Sequence, residues 1–127
     1  MKEAVRDGLR AVRNTIEDEC VIPGAGAFEV FLHEKLLESF KEITGKAQLG
    51  YKAFAESVLV IPKVLAGNSG YDIQEAIIML KDAYNKEKIP VGLNLYDFET
   101  CSPQKLGIFD NYCVKKQFLS ITTTLAE

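Results

Sequence analysis

Val21-Ile22-Pro23-Gly24-Ala25-Gly26-Ala27 is the stretch whose reading decides the fold of this 127-residue chain. Two glycines around an alanine, entered through a proline and followed by an amphipathic run, describe a tight bend that opens a helix. Such a bend can bring bare backbone N–H groups against an anion or a flat ring, because glycine has no Cβ to hold a ligand off. The same residues serve equally well as a helix–helix connection in which glycine supplies a positive φ. The bend alone does not decide between the two.

Working outward, residues 3–19 are predicted to form a helix, with Val5, Leu9, Val12 and Ile16 spaced as one buried stripe. After the bend a second helix is expected over 27–43, with Val30, Leu36, Leu37, Phe40 and Ile43 on an apolar arc and Gly45 as its stop. A third spans 47–60. Pro62 either breaks the pattern there or opens a short fourth helix from its tolerated first-turn position, ending at Gly67-Asn68. Asp72 and Glu75 have the spacing of a capping box ahead of the stripe Ile73, Ile77, Leu80 and Tyr84. The texture changes at Pro90: Val91, Leu93 and Leu95 alternate with Gly92 and Asn94, as in a half-buried strand. Residues 96–109 carry Asp, Pro and Gly punctuation and read as a short β excursion. A last helix starts near Asn111 with Val114, Phe118, Ile121 and Leu125 facing inward. The fold class is therefore mainly α with a small β element. Neither end carries a clear helix start or stop signal, so the chain is expected to be a piece of something larger.

Composition narrows the function classes. A net charge of −3 with a single histidine gives no general nucleic-acid footprint. Runs such as Val58-Leu59-Val60-Ile61 are far too short to cross a bilayer, and the charged start is no signal peptide. Three cysteines, Cys20, Cys101 and Cys113, lack CxxC spacing, which favours free thiols in a reducing compartment over a disulfide framework or a zinc site. His33 has no second His or Cys at ligand spacing, so no metal is expected there. A soluble, cytoplasmic chain without nucleic-acid or membrane partners is the expectation.

Three positions can carry chemistry. Asp7 lies nearly opposite the Val5/Leu9/Val12/Ile16 stripe, between Ala4 and Ala11, where small neighbours leave room for a carboxylate to meet another surface. It can orient a water for attack on a phosphoryl group, or simply be a solvated first-turn acid favoured by the helix dipole. Gly24, Ala25 and Gly26 are the second candidate. Asp110 is the third, at the expected start of the last helix. There it is an N-cap by default, and an acceptor for ribose hydroxyls in a nucleotide-binding context. Lys115 and Lys116 after it read as a wet helix face.

Together, Arg6-Asp7-Gly8-Leu9-Arg10-Ala11-Val12-Arg13-Asn14, the bend, and Asp110-Asn111-Tyr112-Cys113-Val114-Lys115-Lys116-Gln117 resemble the group II chaperonins. Phe54-Ala55-Glu56 and residues 61–72 resemble the same family, and the last of these, with 110–117, looks most like its eukaryotic cytosolic branch. The resemblance covers essentially the whole chain. It implies the C-terminal half of a chaperonin equatorial domain (21–127) preceded by an intermediate-domain helix (1–20). It also implies an ATP- and Mg²⁺-dependent subunit of a double ring that folds non-native cytosolic proteins. Asp7 then matches the catalytic aspartate that helps activate the attacking water. Gly24, Ala25 and Gly26 match the glycine turn near the nucleotide, with Ala25 in place of the middle glycine common in the family. Asp110 matches the ribose ligand.

The family's Gly-Asp-Gly-Thr-Thr segment, which binds phosphate and magnesium, does not occur here, nor does a Walker-type Gly-Lys-Ser/Thr. The apical surface that receives clients is absent too. The resemblance thus implies ATPase activity in the intact subunit, and an isolated fragment that is inactive, binds no cofactor tightly and self-associates through uncovered apolar faces. The alternative is a stand-alone helical interaction module that binds no nucleotide.

Overall fold

The computed structural model describes residues 1–89, 91–97 and 99–127; Pro90, where the sequence changes texture, lies outside them. The chain divides into two compact units, Pro23–Ile108 and the joined ends Met1–Ile22 with Phe109–Glu127. It is mainly helical with a small β content, as its sequence pattern predicts; among the described residues the strands form two two-stranded sheets, and the strand at Val21–Pro23 is one the pattern does not predict.

The larger unit begins with α2 (Ala27–Phe40), followed by α3 (Ala47–Val58), α4 (Val60–Asn68) and α5 (Ile73–Glu87). β2 (Gly92–Asn94) then pairs antiparallel with β3 (Glu99–Cys101), Gly92 opposite Cys101, before the single turn α6 (Pro103–Leu106). Pro62 is the third residue of α4, where its missing N–H costs nothing because first-turn donors have no partner inside the helix. Asp72 caps α5 by accepting the Glu75 N–H at 2.9 Å, as its spacing predicts.

Val30, Leu59, Ala66, Ala76, Ile77, Leu80, Tyr84, Val91 and Leu93 form the core of this unit, with α2, α4, α5 and β2 each contributing. The α5 stripe is buried from Ile77 onward, while Ile73 stays half-exposed at the helix start. The ring of Phe31 meets that of Tyr84 edge-on at 6.1 Å, and the Tyr71 hydroxyl donates to the Leu95 carbonyl at 2.7 Å. In α2 the buried face differs from the expected arc. Ala27, Glu29, Val30 and His33 are buried, whereas Leu36, Leu37, Phe40 and Ile43 are only partly covered. The first half of α2 faces several elements, while Phe40 near its end meets Tyr51 of α3, 6.2 Å away. His33, 3% exposed, donates Nδ1–H to the Ala55 carbonyl at 2.7 Å, tying α2 to α3. Nε2 of the same ring has no hydrogen-bond partner among the described residues.

The smaller unit pairs α1 (Lys2–Asp18) with α7 (Tyr112–Ala126) through the short sheet of β1 (Val21–Pro23) and β4 (Phe109–Asn111). Both helices fall where the sequence predicts them. Their apolar stripes, expected to face inward, do not: Leu9 is 67% and Ile16 71% exposed, with Val5, Val12, Val114, Ile121 and Leu125 also open. The reason is geometric. Two helices and a two-stranded ribbon make one layer, and a helix with one neighbour buries only a narrow strip of its surface.

This contrast has a measurable consequence. Leu80→Ala should lower unfolding free energy by about 2–5 kcal/mol, because it opens a cavity in a closed core. Leu125→Ala should change it by less than about 0.5 kcal/mol. Urea unfolding followed by far-UV circular dichroism compares the two.

Candidate functional site

The glycine bend is built within the larger unit. Gly24 donates its N–H to the Ile108 carbonyl at 3.1 Å, and the Ala27 N–H returns to the Gly24 carbonyl at 3.1 Å. Ala25 and Gly26 both take left-handed backbone, with φ of 57° and 79°. Gly26 needs its missing side chain twice over, since a Cβ there would sit 3.1 Å from Pro62 Cβ. Ala25 has no such exemption, and left-handed backbone costs a residue with a Cβ about 1 kcal/mol. From the other side, Leu93 of β2 donates its N–H to the Ala25 carbonyl at 3.0 Å. The bend is thus a helix-opening turn braced by a strand. The N–H groups of Gly24 and Ala27 are already engaged in holding it.

Asp110 lies in β4 rather than at the N-cap of α7, which is the next residue, Asn111. The default N-cap role is therefore not realised. Asn111 makes no side-chain cap bond either. Its Oδ1 lies 2.9 Å from the Thr15 hydroxyl, which shares its proton with the Ala11 carbonyl, also 2.9 Å away. The donor at the start of α7 is satisfied from α1 instead: Asp18 Oδ2 accepts the Cys113 N–H at 3.2 Å. Strand residues before a helix keep extended backbone, so Asp110 can turn its carboxylate outward while its neighbours close the helix end.

Within the smaller unit, Asp110 and Asn111 line an open groove of about 390 Å³ with Ala11, Val12, Thr15, Ile16, Val21 and Phe109. Its lining is mostly apolar. The Asp110 side chain is 42% exposed and pairs with Lys115 Nζ at 3.4 Å, whose own side chain is only 11% exposed. Lys115, which the sequence reads as part of a wet face, instead neutralises Asp110 from beneath. Asp7 is exposed and is not one of the walls. It lies four residues before Ala11, about 6 Å along the helix axis from it, and nearly opposite the groove residues Val12 and Ile16. Asp7 and Asp110 thus belong to one unit, and residues 24–26 to the other.

Among the described residues no three His, Cys, Asp or Glu side chains gather as a metal site would require. Two contributors were not singled out from the sequence. Asp18 has no local signal, since its partner is 95 residues away. Gly92 did have one, because a glycine inside a short strand marks a close backbone approach.

Cys113 registers the same contact. Partial burial first, then the hydrogen bond and charge of Asp18, push its thiol above the usual range, against a smaller opposing pull from backbone N–H groups at the start of α7. Burial also raises the Cys101 thiol, while Cys20 is exposed.

Comparison with known proteins identifies the family. A profile of the TCP-1/cpn60 chaperonin family matches residues 1–127. The chain is 48% identical over 126 residues to T-complex protein 1 subunit zeta-2 of Mus musculus, and equally to that of Homo sapiens. In each case 99% of this chain aligns with 24% of the relative, so the chain spans about a quarter of their length. The zeta subunit is also the branch that residues 61–72 and 110–117 resemble. In structure, the chain superposes on the open-state monomer of a group II chaperonin from Methanococcoides burtonii. The TM-score is 0.81 at 33% identity, over 91% of this chain and 29% of that one.

Two outcomes test the local geometry. Ala25→Gly should stabilise the chain by about 0.5 kcal/mol, since relief of left-handed strain exceeds the added entropy of the unfolded chain; thermal unfolding measures this. A raised thiol pKa means less thiolate at pH 8, so iodoacetamide should label Cys113 more slowly than Cys20. Asp18→Asn, which keeps the cap acceptor and removes the charge, should speed Cys113 labelling severalfold and move its onset to lower pH, as followed by peptide mass spectrometry.

Proposed function

The chain belongs to the TCP-1/cpn60 chaperonin family, and on that footing we propose that it works as the C-terminal part of a subunit in an ATP-driven, ring-shaped protein-folding machine of the cytoplasm. In this reading residues 1–20 are the intermediate-domain helix and 21–127 the C-terminal half of the equatorial, ATP-binding domain. The full-length match to the family favours this over a stand-alone helical interaction module.

The observation that carries the nucleotide reading is the groove beside Asp110. A half-exposed carboxylate, paired with a largely covered lysine, stands at the rim of an apolar trough large enough for part of a nucleoside. Asp110 would accept hydrogen bonds from the ribose hydroxyls. Asp7, exposed near the start of α1, would orient the water that attacks the γ-phosphate, a reaction that depends mostly on positioning and electrostatics. The backbone of Gly24, Ala25 and Gly26 would pass close to the nucleotide. ATP and Mg²⁺ are the cofactors of the intact subunit, and its partners are neighbouring ring subunits and non-native clients. The isolated chain, lacking the phosphate-binding segment, binds no nucleotide tightly and turns over none. The open stripe Val5, Leu9, Val12 and Ile16 supports self-association of the chain. No helix among the described residues is long and apolar enough to cross a membrane.

With millimolar ADP, backbone amide shifts of the ¹⁵N-labelled chain should cluster at residues 24–27 and at Asp110, and Asp110→Ala should weaken them at least tenfold. Magnesium-dependent phosphate release should stay at background in the chain and in Asp7→Ala alike. Release well above background that Asp7→Ala abolishes would overturn the inactive-fragment reading, and shifts scattered away from both sites would overturn the nucleotide assignment.

A further inference from the structure

We propose that Gly92 is a positioning residue for the glycine bend: strand β2 acts as a latch that sets the bend's backbone, and only a residue without a side chain lets it close. The inference rests on the nucleotide reading of residues 24–26 and adds to it the element that holds them.

Three contacts within the larger unit carry the argument. A Cβ built on Gly92 would lie 2.8 Å from Ala25 Cβ, 3.0 Å from the Ala25 carbonyl oxygen and 3.2 Å from the Gly24 carbonyl oxygen. The first is closer than real Cβ atoms approach, and the other two are tight contacts with backbone, which cannot swing aside as a flexible side chain can. One residue further on, Leu93 donates its N–H to that same Ala25 carbonyl at 3.0 Å. The bare Cα of Gly92 and the hydrogen bond of Leu93 therefore act on a single peptide, the one that leaves Ala25.

Two further features make this peptide worth holding. Ala25 is left-handed at φ 57°, a conformation that persists in an L-residue only when surrounding contacts enforce it. On the far side of the bend Gly26 is pressed against Pro62 of α4, so the turn cannot retreat from the strand without moving that helix. The bend is gripped from both sides, and Gly92 is where the strand's grip depends on having no side chain. Ala25 completes the pair. Its methyl makes the closest of the three contacts, so removing it should restore much of the space that a methyl on Gly92 takes.

The test compares the unsubstituted chain with Gly92→Ala and with Gly92→Ala combined with Ala25→Gly, all ¹⁵N-labelled. In Gly92→Ala, hydrogen exchange of the Leu93 amide should speed up at least tenfold and the Gly24, Gly26 and Ala27 amides should shift, while Ile77 and Leu80 of α5 keep their positions and protection. The dissociation constant for ADP, read from the bend amides, should rise at least tenfold. The double variant should return both quantities to within about threefold of the unsubstituted chain, a rescue that a merely structural role in the core would not show. If Gly92→Ala does not fold, the double variant should; a double variant that stays unfolded overturns the proposal. Gly92→Ala with unchanged Leu93 exchange overturns the latch, and unchanged ADP affinity overturns the positioning role alone. An unsubstituted chain without ADP-induced shifts at the bend overturns the positioning role together with the nucleotide reading.

Discussion

The larger unit depends on one backbone arrangement: two consecutive left-handed residues, Ala25 and Gly26, wedged between a proline on α4 and a glycine on β2. α2 starts from this turn, for the Gly26 carbonyl accepts the Val30 N–H and so begins the helix ladder. α2 in turn brings Val30 into the core and His33 to the Ala55 carbonyl. Moving the turn would displace the first residues of α2 and the strand pair together. The constraint is steric rather than energetic in origin. Each contact is a place where an added atom has nowhere to go, and such contacts transmit position more faithfully than a single surface hydrogen bond does.

The smaller unit obeys a different logic. Its α1 and α7 bury little apolar surface, so polar contacts set their local arrangement. Asp18 caps the start of α7, Thr15 engages Asn111, and Lys115 reaches Asp110. An exposed ion pair contributes little, but Lys115 is mostly covered, and a covered charge needs its partner. The result is a half-exposed carboxylate paired with a largely covered lysine.

These differences explain which parts of the molecule were legible in its residues. A helix start was readable where a stripe met a local signal, as at Asp72 with Glu75, because that signal acts within one helical turn; at Pro62 the residues left a break and a new helix open, and the structure takes the second. The burial of a stripe was readable for α5 in the larger unit, but not for the second half of α2 or for α1 and α7. A stripe reports which face of a helix prefers to leave water, and whether anything covers that face depends on how many layers the unit has. Asp110 illustrates the same limit at the site. Its position beside a helix start was visible, but the acceptor for the Cys113 N–H there is Asp18, a residue far away in sequence.

The amino-acid order by itself determined the mainly helical class, the bend at residues 24–26, the cap on α5 and the family to which the chain belongs, since each is written in short-range spacing or in contiguous runs of residues. Only the tertiary structure decided that β2 braces the bend, that Lys115 lies beneath Asp110, and that the α1 and α7 stripes remain open. Those facts depend on distances between residues far apart in the chain, and such distances follow from how all the elements pack at once.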